Sequence, residues 1–321
     1  MPQTNREIGG YIELDDFPGP EYHPDALALN CARNCFLYVA EARCIKHVWV
    51  PSYMCISIKN AALKAGLEVL GYPIAPDFMP DFSAIDLGSE DWLYVVDFYG
   101  QLTIDQIREC ARRAQGRIIA DESHNFFRRR IDGIDSLNCC RKYFGVPDGG
   151  YLYTDLELDR YLETDKSADR MAHILGRYEV TASEFYAVAS ANDCIFGKQD
   201  IKHMSRLTRN LLRAEDYDHV KTRREENFGY LSERLSGLNE LSPIASEGPY
   251  MYPLLIENAV PIRKEMQRRK VYVPTLWPHS LDAQGIGGRY SRDILPLPVD
   301  QRYCVDDMAY VCDMVEELVK K

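Results

Sequence analysis

What this chain of 321 residues lacks narrows its class first. No apolar run approaches the ~20 residues that a membrane-spanning helix needs, so no span is expected. No charged leader with an apolar core opens the sequence. Ten cysteines are present, yet they are scattered and none fall in a Cys-x-x-Cys pair. That pattern reads as buried thiols in a reduced, cytoplasmic protein rather than a disulfide framework. Basic residues are outnumbered, 38 against 49 acids, for a net charge of −11. Basic residues form no long run, only short ones such as Arg128-Arg129-Arg130, so a nucleic-acid partner is not expected. No repeat or low-complexity tract is visible.

What remains is long enough for one large or two modest domains, with roughly 75% of the unfolded surface buried. Residues 1–24, with Gly9-Gly10 and Phe17-Pro18-Gly19-Pro20, read as an extended arm. From there the texture alternates. Residues 25–42 read as a helix, His47–Val50 as a strand, Ser52–Ala65 as a helix capped by Gly66, and Leu67–Tyr72 as a strand. Trp92–Val96 reads as a further strand and Ile104–Ala114 as a helix. Strands alternating with helices predict βαβ units and a large, mostly parallel sheet sandwiched by helices. After Thr154 the chain turns charge-rich and helical. Tyr252–Ile256 and Val271–Val273 then suggest strands of a smaller α/β layer, and residues 305–320 an amphipathic last helix. The expected division is an arm (1–24), a large cofactor-binding α/β domain (25–210) and a smaller C-terminal α/β domain (211–321).

Chemistry concentrates in residues 118–151. Arg117-Ile118-Ile119-Ala120 is a short apolar run closed by Asp121, which suits a buried parallel strand. Ligands of open α/β sheets sit beyond the carboxyl ends of strands, so Asp121 and His124 are expected to face a crevice. Ser136, Arg141 and Lys142 follow on a segment read as irregular, then Gly149-Gly150 and the strand Tyr151–Tyr153. A carboxylate at a strand end with a lysine twenty-one positions on suits pyridoxal phosphate. That cofactor needs a lysine for its Schiff base and an acid on its pyridinium nitrogen.

Asp121-x-x-His124, then Ser136…Arg141-Lys142 and the Gly-Gly turn, resembles the DegT/StrS-type aminotransferases, which are fold-type I pyridoxal-phosphate enzymes. Val50-Pro51-Ser52-Tyr53, Phe98-Tyr99-Gly100-Gln101 and Arg223-Arg224-Glu225-Glu226-Asn227 extend the likeness over roughly residues 25–315. The resemblance implies transfer of an amino group from an amino acid, glutamate by analogy, to a sugar or nucleotide-sugar carbonyl. It gives Lys142 the covalent link and the proton transfer, Asp121 the ring nitrogen, and His124 a place stacked on the ring or donating to its oxygen. Tyr53 or Tyr99 would line the ring or the substrate pocket, and Trp277-Pro278-His279 would approach the substrate.

The family's Ser-Gly-Thr phosphate loop is replaced here by Asn30-Cys31-Ala32-Arg33-Asn34, so Arg33 takes the place of a hydroxyl beside Ala32. Ser136, with Arg141 as another candidate, would complete the phosphate site. A homodimer with shared sites is expected, Asn227 reaching across the two-fold axis. Relatives that dehydrate sugars carry histidine in place of the lysine, and Lys142 speaks against that outcome. The alternative is a divergent, non-catalytic binding or regulatory protein on the same fold, which the altered phosphate loop favours. Adjacent Cys139 and Cys140 lack the spacing of a metal site.

Overall fold

The computed structural model describes residues 8–278 and 284–320. Its first half lays down β1 (Leu27–Leu29), α1 (Ala32–Ala42), β2 (His47–Pro51), α2 (Ile56–Lys64), β3 (Glu68–Tyr72) and β4 (Asp91–Val96). Then come α3 (Ile104–Arg113), β5 (Ile118–Asp121), β6 (Asp135–Cys139) and β7 (Gly150–Tyr153). These strands form one sheet in the order β1-β7-β6-β5-β4-β2-β3, with β5 at its centre. The five strands from β6 to β3 are parallel, and β7 and β1 are added antiparallel. Every residue of β5 is buried, as a parallel strand covered on both faces requires.

Side-chain parity then decides which residues share a face. Asp121 pairs with Val96 and Leu137, and Tyr94 with Ile119. Paired residues in a pleated sheet point the same way, so Tyr94, Asp121, Leu137 and Cys139 share one face. That is the α1 face, because Phe36 of α1 packs edge-on against Tyr94.

The second half supplies α4 (Ala172–Glu179), α5 (Tyr186–Ile195), α6 (Arg206–Leu212), α7 (Tyr217–Leu235), β8 (Met251–Leu255), α8 (Ala259–Arg268), α9 (Ile286–Asp293), β9 (Ile294–Pro298) and α10 (Val305–Val319). β8 and β9 pair antiparallel, and their inner faces share a core with α7, α8 and α10 through Phe228, Leu231, Leu254, Met266, Leu297 and Val315. Arg224 of α7 ties this layer to the first. Fully buried, it donates to the carbonyls of Pro249 and Tyr143, and its guanidinium lies 4.3 Å from the Tyr143 ring centroid. Tyr143 directly follows Lys142, so the arginine-rich helix holds the turn that carries the lysine. No helix among the described residues is long and apolar enough to cross a membrane.

Three sequence expectations are corrected. Residues 25–42 are not one helix: Leu27–Leu29 pairs with β7, and α1 starts only at Ala32. Backbone pairing at the sheet edge outweighs the local helical stripe. Val271–Val273 lies outside any strand. The segment around Ser136, read as irregular, is strand β6, and this reassigns Ser136 itself.

Candidate active site

The carboxyl end of β5 carries the acid. Asp121 Oδ2 accepts the Tyr94 hydroxyl at 2.7 Å, and Oδ1 accepts the Ser123 N–H at 2.9 Å. Burial, then the charge of Asp121, pushes the Tyr94 phenol well up, so Tyr94 is a fixed donor to the carboxylate. Each oxygen still has a lone pair for a further donor.

His124 is held as a neutral donor. Its Nδ1 accepts the Tyr99 N–H at 3.1 Å, a contact made by a residue in the left-handed region (φ 59°). With Nδ1 occupied as acceptor, the ring proton resides on Nε2. Burial, then the neighbouring Lys142 charge, holds its pKa well below the ordinary histidine value. Its stacking partners are already Tyr250 (4.4 Å between centroids, 29°) and Trp277 (5.4 Å, 23°), so Nε2–H is what it can offer a ligand.

Lys142 ends a single 3-10 turn after β6 and is half-buried. Its Nζ lies 5.5 Å from the Tyr250 ring centroid. Among the described residues no acid pairs with it and no hydrogen bond fixes it. A lysine so placed is not held away from a ligand by any of these neighbours.

The third group surrounds the start of α1. Cys31, its N-cap, is extended and makes no side-chain cap, so the Ala32 and Arg33 N–H groups have no intrahelical acceptor. Cys31 feels both Arg141 and Arg33, although burial dominates and lifts its thiol to about 11. The Nε atoms of Arg33 and Arg141 are buried with no partner. Arg141 does pair with Asp193, and its guanidinium lies 4.5 Å from the Phe196 ring centroid. Two unsatisfied guanidinium donors beside an uncapped helix terminus suit a phosphate dianion. Gly150 is needed here: a Cβ on it would stand 2.7 Å from the Ala32 nitrogen.

Other expected site residues fall elsewhere. Ser136 sits opposite Ala120 and Tyr153, so its side chain points to the face away from Asp121 and α1. Ser136 is thus turned away from the α1 terminus; the residues of β6 on the Asp121 face are Leu137 and Cys139. Asn227 is fully buried inside the second layer, its Nδ2 donating to the carbonyls of Val299, Asp300 and Tyr303. It is therefore corrected from a contact across an interface to a tie between α7 and the loop before α10. Tyr53 and Tyr99 are both buried and share a hydroxyl contact at 3.2 Å within an aromatic cluster. Tyr53 therefore packs against Trp277 (4.7 Å, 80°) rather than opening onto a pocket. Trp277 reaches the site through His124, whereas His279 lies outside the described residues. Tyr94 and Tyr250 were missed. Tyr94 was recoverable from the parity of β4 against β5; Tyr250 had no local signal.

Behind the site, Arg128 bridges two buried acids, Asp97 at 3.0 Å and Glu122 at 3.3 Å. Burial, only partly offset by Arg128, pushes Glu122 up to about 8 and raises Asp97 in the same direction. Between the unfolded carboxylate range and pH 8, the folded state then holds a proton the unfolded chain has released. Stability therefore falls as pH rises through that window. Wild type should lose on the order of 1–3 kcal/mol from pH 5 to pH 8 in urea titrations, and Glu122→Gln should flatten the slope. An unchanged slope in that variant would remove Glu122 as the cause.

This geometry can be set against known proteins. No family profile and no curated protein sequence matches the chain. Solved structures do. The sugar aminotransferase CalS13 from Micromonospora echinospora superposes with TM-score 0.64 at 14% identity, covering 92% of this chain and 88% of that one. The fold is that of the fold-type I aminotransferases. NtdA from Bacillus subtilis, solved with bound cofactor PMP, gives 0.65 at 14% identity, over 92% of this chain and 73% of NtdA. DesI, solved in the presence of its TDP-sugar product, gives 0.60 at 18%, over 90% and 79%. The fold-type I sheet is thus reproduced with little sequence in common. Asp121 closes its central strand, and Lys142 stands on the turn after the neighbouring strand β6.

Proposed function

We propose that the chain is a pyridoxal-phosphate-dependent aminotransferase acting on a sugar, possessed of the residues to hold that cofactor. The observation that carries this is the half-buried Lys142, unpaired among the described residues, beside neutral His124, with an acid at the end of the central strand and the partnerless Nε atoms of Arg33 and Arg141 at the α1 terminus. The cofactor, when bound, supplies an electron sink for the pair released at the substrate's Cα.

The chain's own residues do the rest. The N–H groups of Ala32 and Arg33, with the Arg33 and Arg141 side chains, would hold the phosphate. Asp121 would keep the ring nitrogen protonated, and the hydrogen bonds from Tyr94 and Ser123 orient its carboxylate. His124 would donate from Nε2 to the ring oxygen. Lys142 would carry the covalent link to the cofactor and would serve as the base that moves the proton released at the substrate's Cα. Trp277 and Tyr250 wall the site against water.

A sugar acceptor is supported by CalS13 and by the TDP-sugar product of DesI. A cytoplasmic location and a homodimer belong to the same reading. The direct test is cofactor content. Purified protein saturated with pyridoxal phosphate should be yellow, and added glutamate should bleach the band without sugar present. A colourless protein that retains no cofactor on gel filtration would overturn the reading.

A further inference from the structure

Two surface features have no partner among the described residues, and they are complementary. The first is the arm. Residues 8–16 form no helix or strand, and Ile8, Tyr11 and Ile12 are each more than 90% exposed. Apolar side chains here stand beside acids: Tyr11-Ile12-Glu13-Leu14-Asp15-Asp16. The arm is fastened only at its end, where Asn210 donates to the Asp15 carbonyl and accepts the Phe17 N–H. Three large apolar side chains held in water on an extended segment are an unmet opportunity for burial.

The second feature is a groove along the α4–α5 hairpin. Two hollows of about 550 and 760 Å³ share His173, Arg177 and Ala189, so they run together. One end is cationic, with Arg141, Arg177 and Arg302; the one acid lining it is Asp193, which pairs with Arg141. Arg302 pairs with Asp300, and Arg177 has no partner among the described residues. The other end is aromatic, with Phe185, Tyr186 and Tyr272. On the rim, Tyr178 is 92% and Tyr186 75% exposed, and Leu175 and Val180 are exposed beside them. In a chain of net charge −11, a groove with an excess of arginine is the place an acidic segment would be drawn to.

We infer that the N-terminal arm of one copy docks in the α4–α5 groove of a second copy, acids toward the arginines and Tyr11 and Ile12 toward the aromatic end. The fit is of charge and of character: an extended strip with adjacent apolar and acidic side chains meets a groove with one cationic and one aromatic end. Because Arg141 belongs both to the groove and to the phosphate site, the visiting arm also closes one side of the candidate active site. The two sites of a dimer then each depend on the other chain. This inference rests on the homodimer proposed above but assigns its contact to residues that reading did not use.

A charge swap tests it in the full-length protein, with dimer dissociation followed by sedimentation velocity. Arg177→Glu and Glu13→Arg should each raise the dimer dissociation constant about tenfold or more, and the double variant should return most of that loss. Both residues are exposed, so far-UV circular dichroism should stay unchanged. A chain lacking residues 1–14 should be monomeric at micromolar concentration, and a peptide spanning residues 8–17 should bind it but not its Arg177→Glu form. Wild-type protein that is monomeric would overturn both the dimer and the docking. A dimer indifferent to arm deletion and to both charge reversals would keep the dimer and overturn the docking, as would a monomer whose own arm fills its groove.

Discussion

Lys142→Ala protein is expected to fold normally, to bind pyridoxal phosphate reversibly, and to lose transamination by roughly a thousandfold or more. Folding should survive because Lys142 is half-buried with no acid or hydrogen-bond partner among the described residues, so truncation orphans none of them. Activity should not, because one amine both anchors the cofactor and moves the proton. The chemical readout is separate from turnover. Borohydride reduction of cofactor-saturated wild type should fix the label on Lys142, which blocks tryptic cleavage there and leaves a labelled peptide 142–160. Arg141, the preceding residue, cannot substitute, since a guanidinium keeps its proton and is engaged with Asp193. A label on any other lysine, or turnover in Lys142→Ala within tenfold of wild type, would sink the assignment.

Asp121→Asn is the second large effect. An amide cannot hold a pyridine nitrogen protonated, so turnover should fall roughly a hundredfold to a thousandfold, with cofactor still bound through the α1 terminus. The local cost is modest. The amide oxygen can still accept from Tyr94 or from the Ser123 N–H, and one lost hydrogen bond costs about 1 kcal/mol. Tyr94→Phe is the companion variant. It removes the phenol but leaves the carboxylate, so a small effect there beside a large one in Asp121→Asn separates charge from packing. Near-normal turnover in Asp121→Asn would reduce Asp121 to a structural cap on the Ser123 turn.

Both effects rest on residues legible in the sequence, and the reason is local. The apolar run Ile118-Ile119-Ala120 ending in an acid suits a short buried strand with a polar end. A histidine three positions on stays near that end. The parallel order of the strands followed from their alternation with helices, and a lone lysine before a Gly-Gly turn marked the other side of the crevice. Arg33 was visible because it stands where a hydroxyl was expected.

Tertiary structure decided the rest, because it depends on pairing partners far apart in the chain. Whether Ser136 or Leu137 shares a face with Asp121 is a matter of register between β5 and β6, and a shift of one residue reverses the answer. Asn227 and Arg224 lie three apart on one helix, and both are buried by different neighbours, so no periodicity could tell tie from contact. Tyr250 meets His124 across 126 positions of sequence, and Tyr99 fixes the tautomer of that histidine through a left-handed backbone that only the packed turn enforces. Composition and spacing set the sheet, the acid and the lysine. Register, burial and long-range contact chose which of their neighbours complete the site.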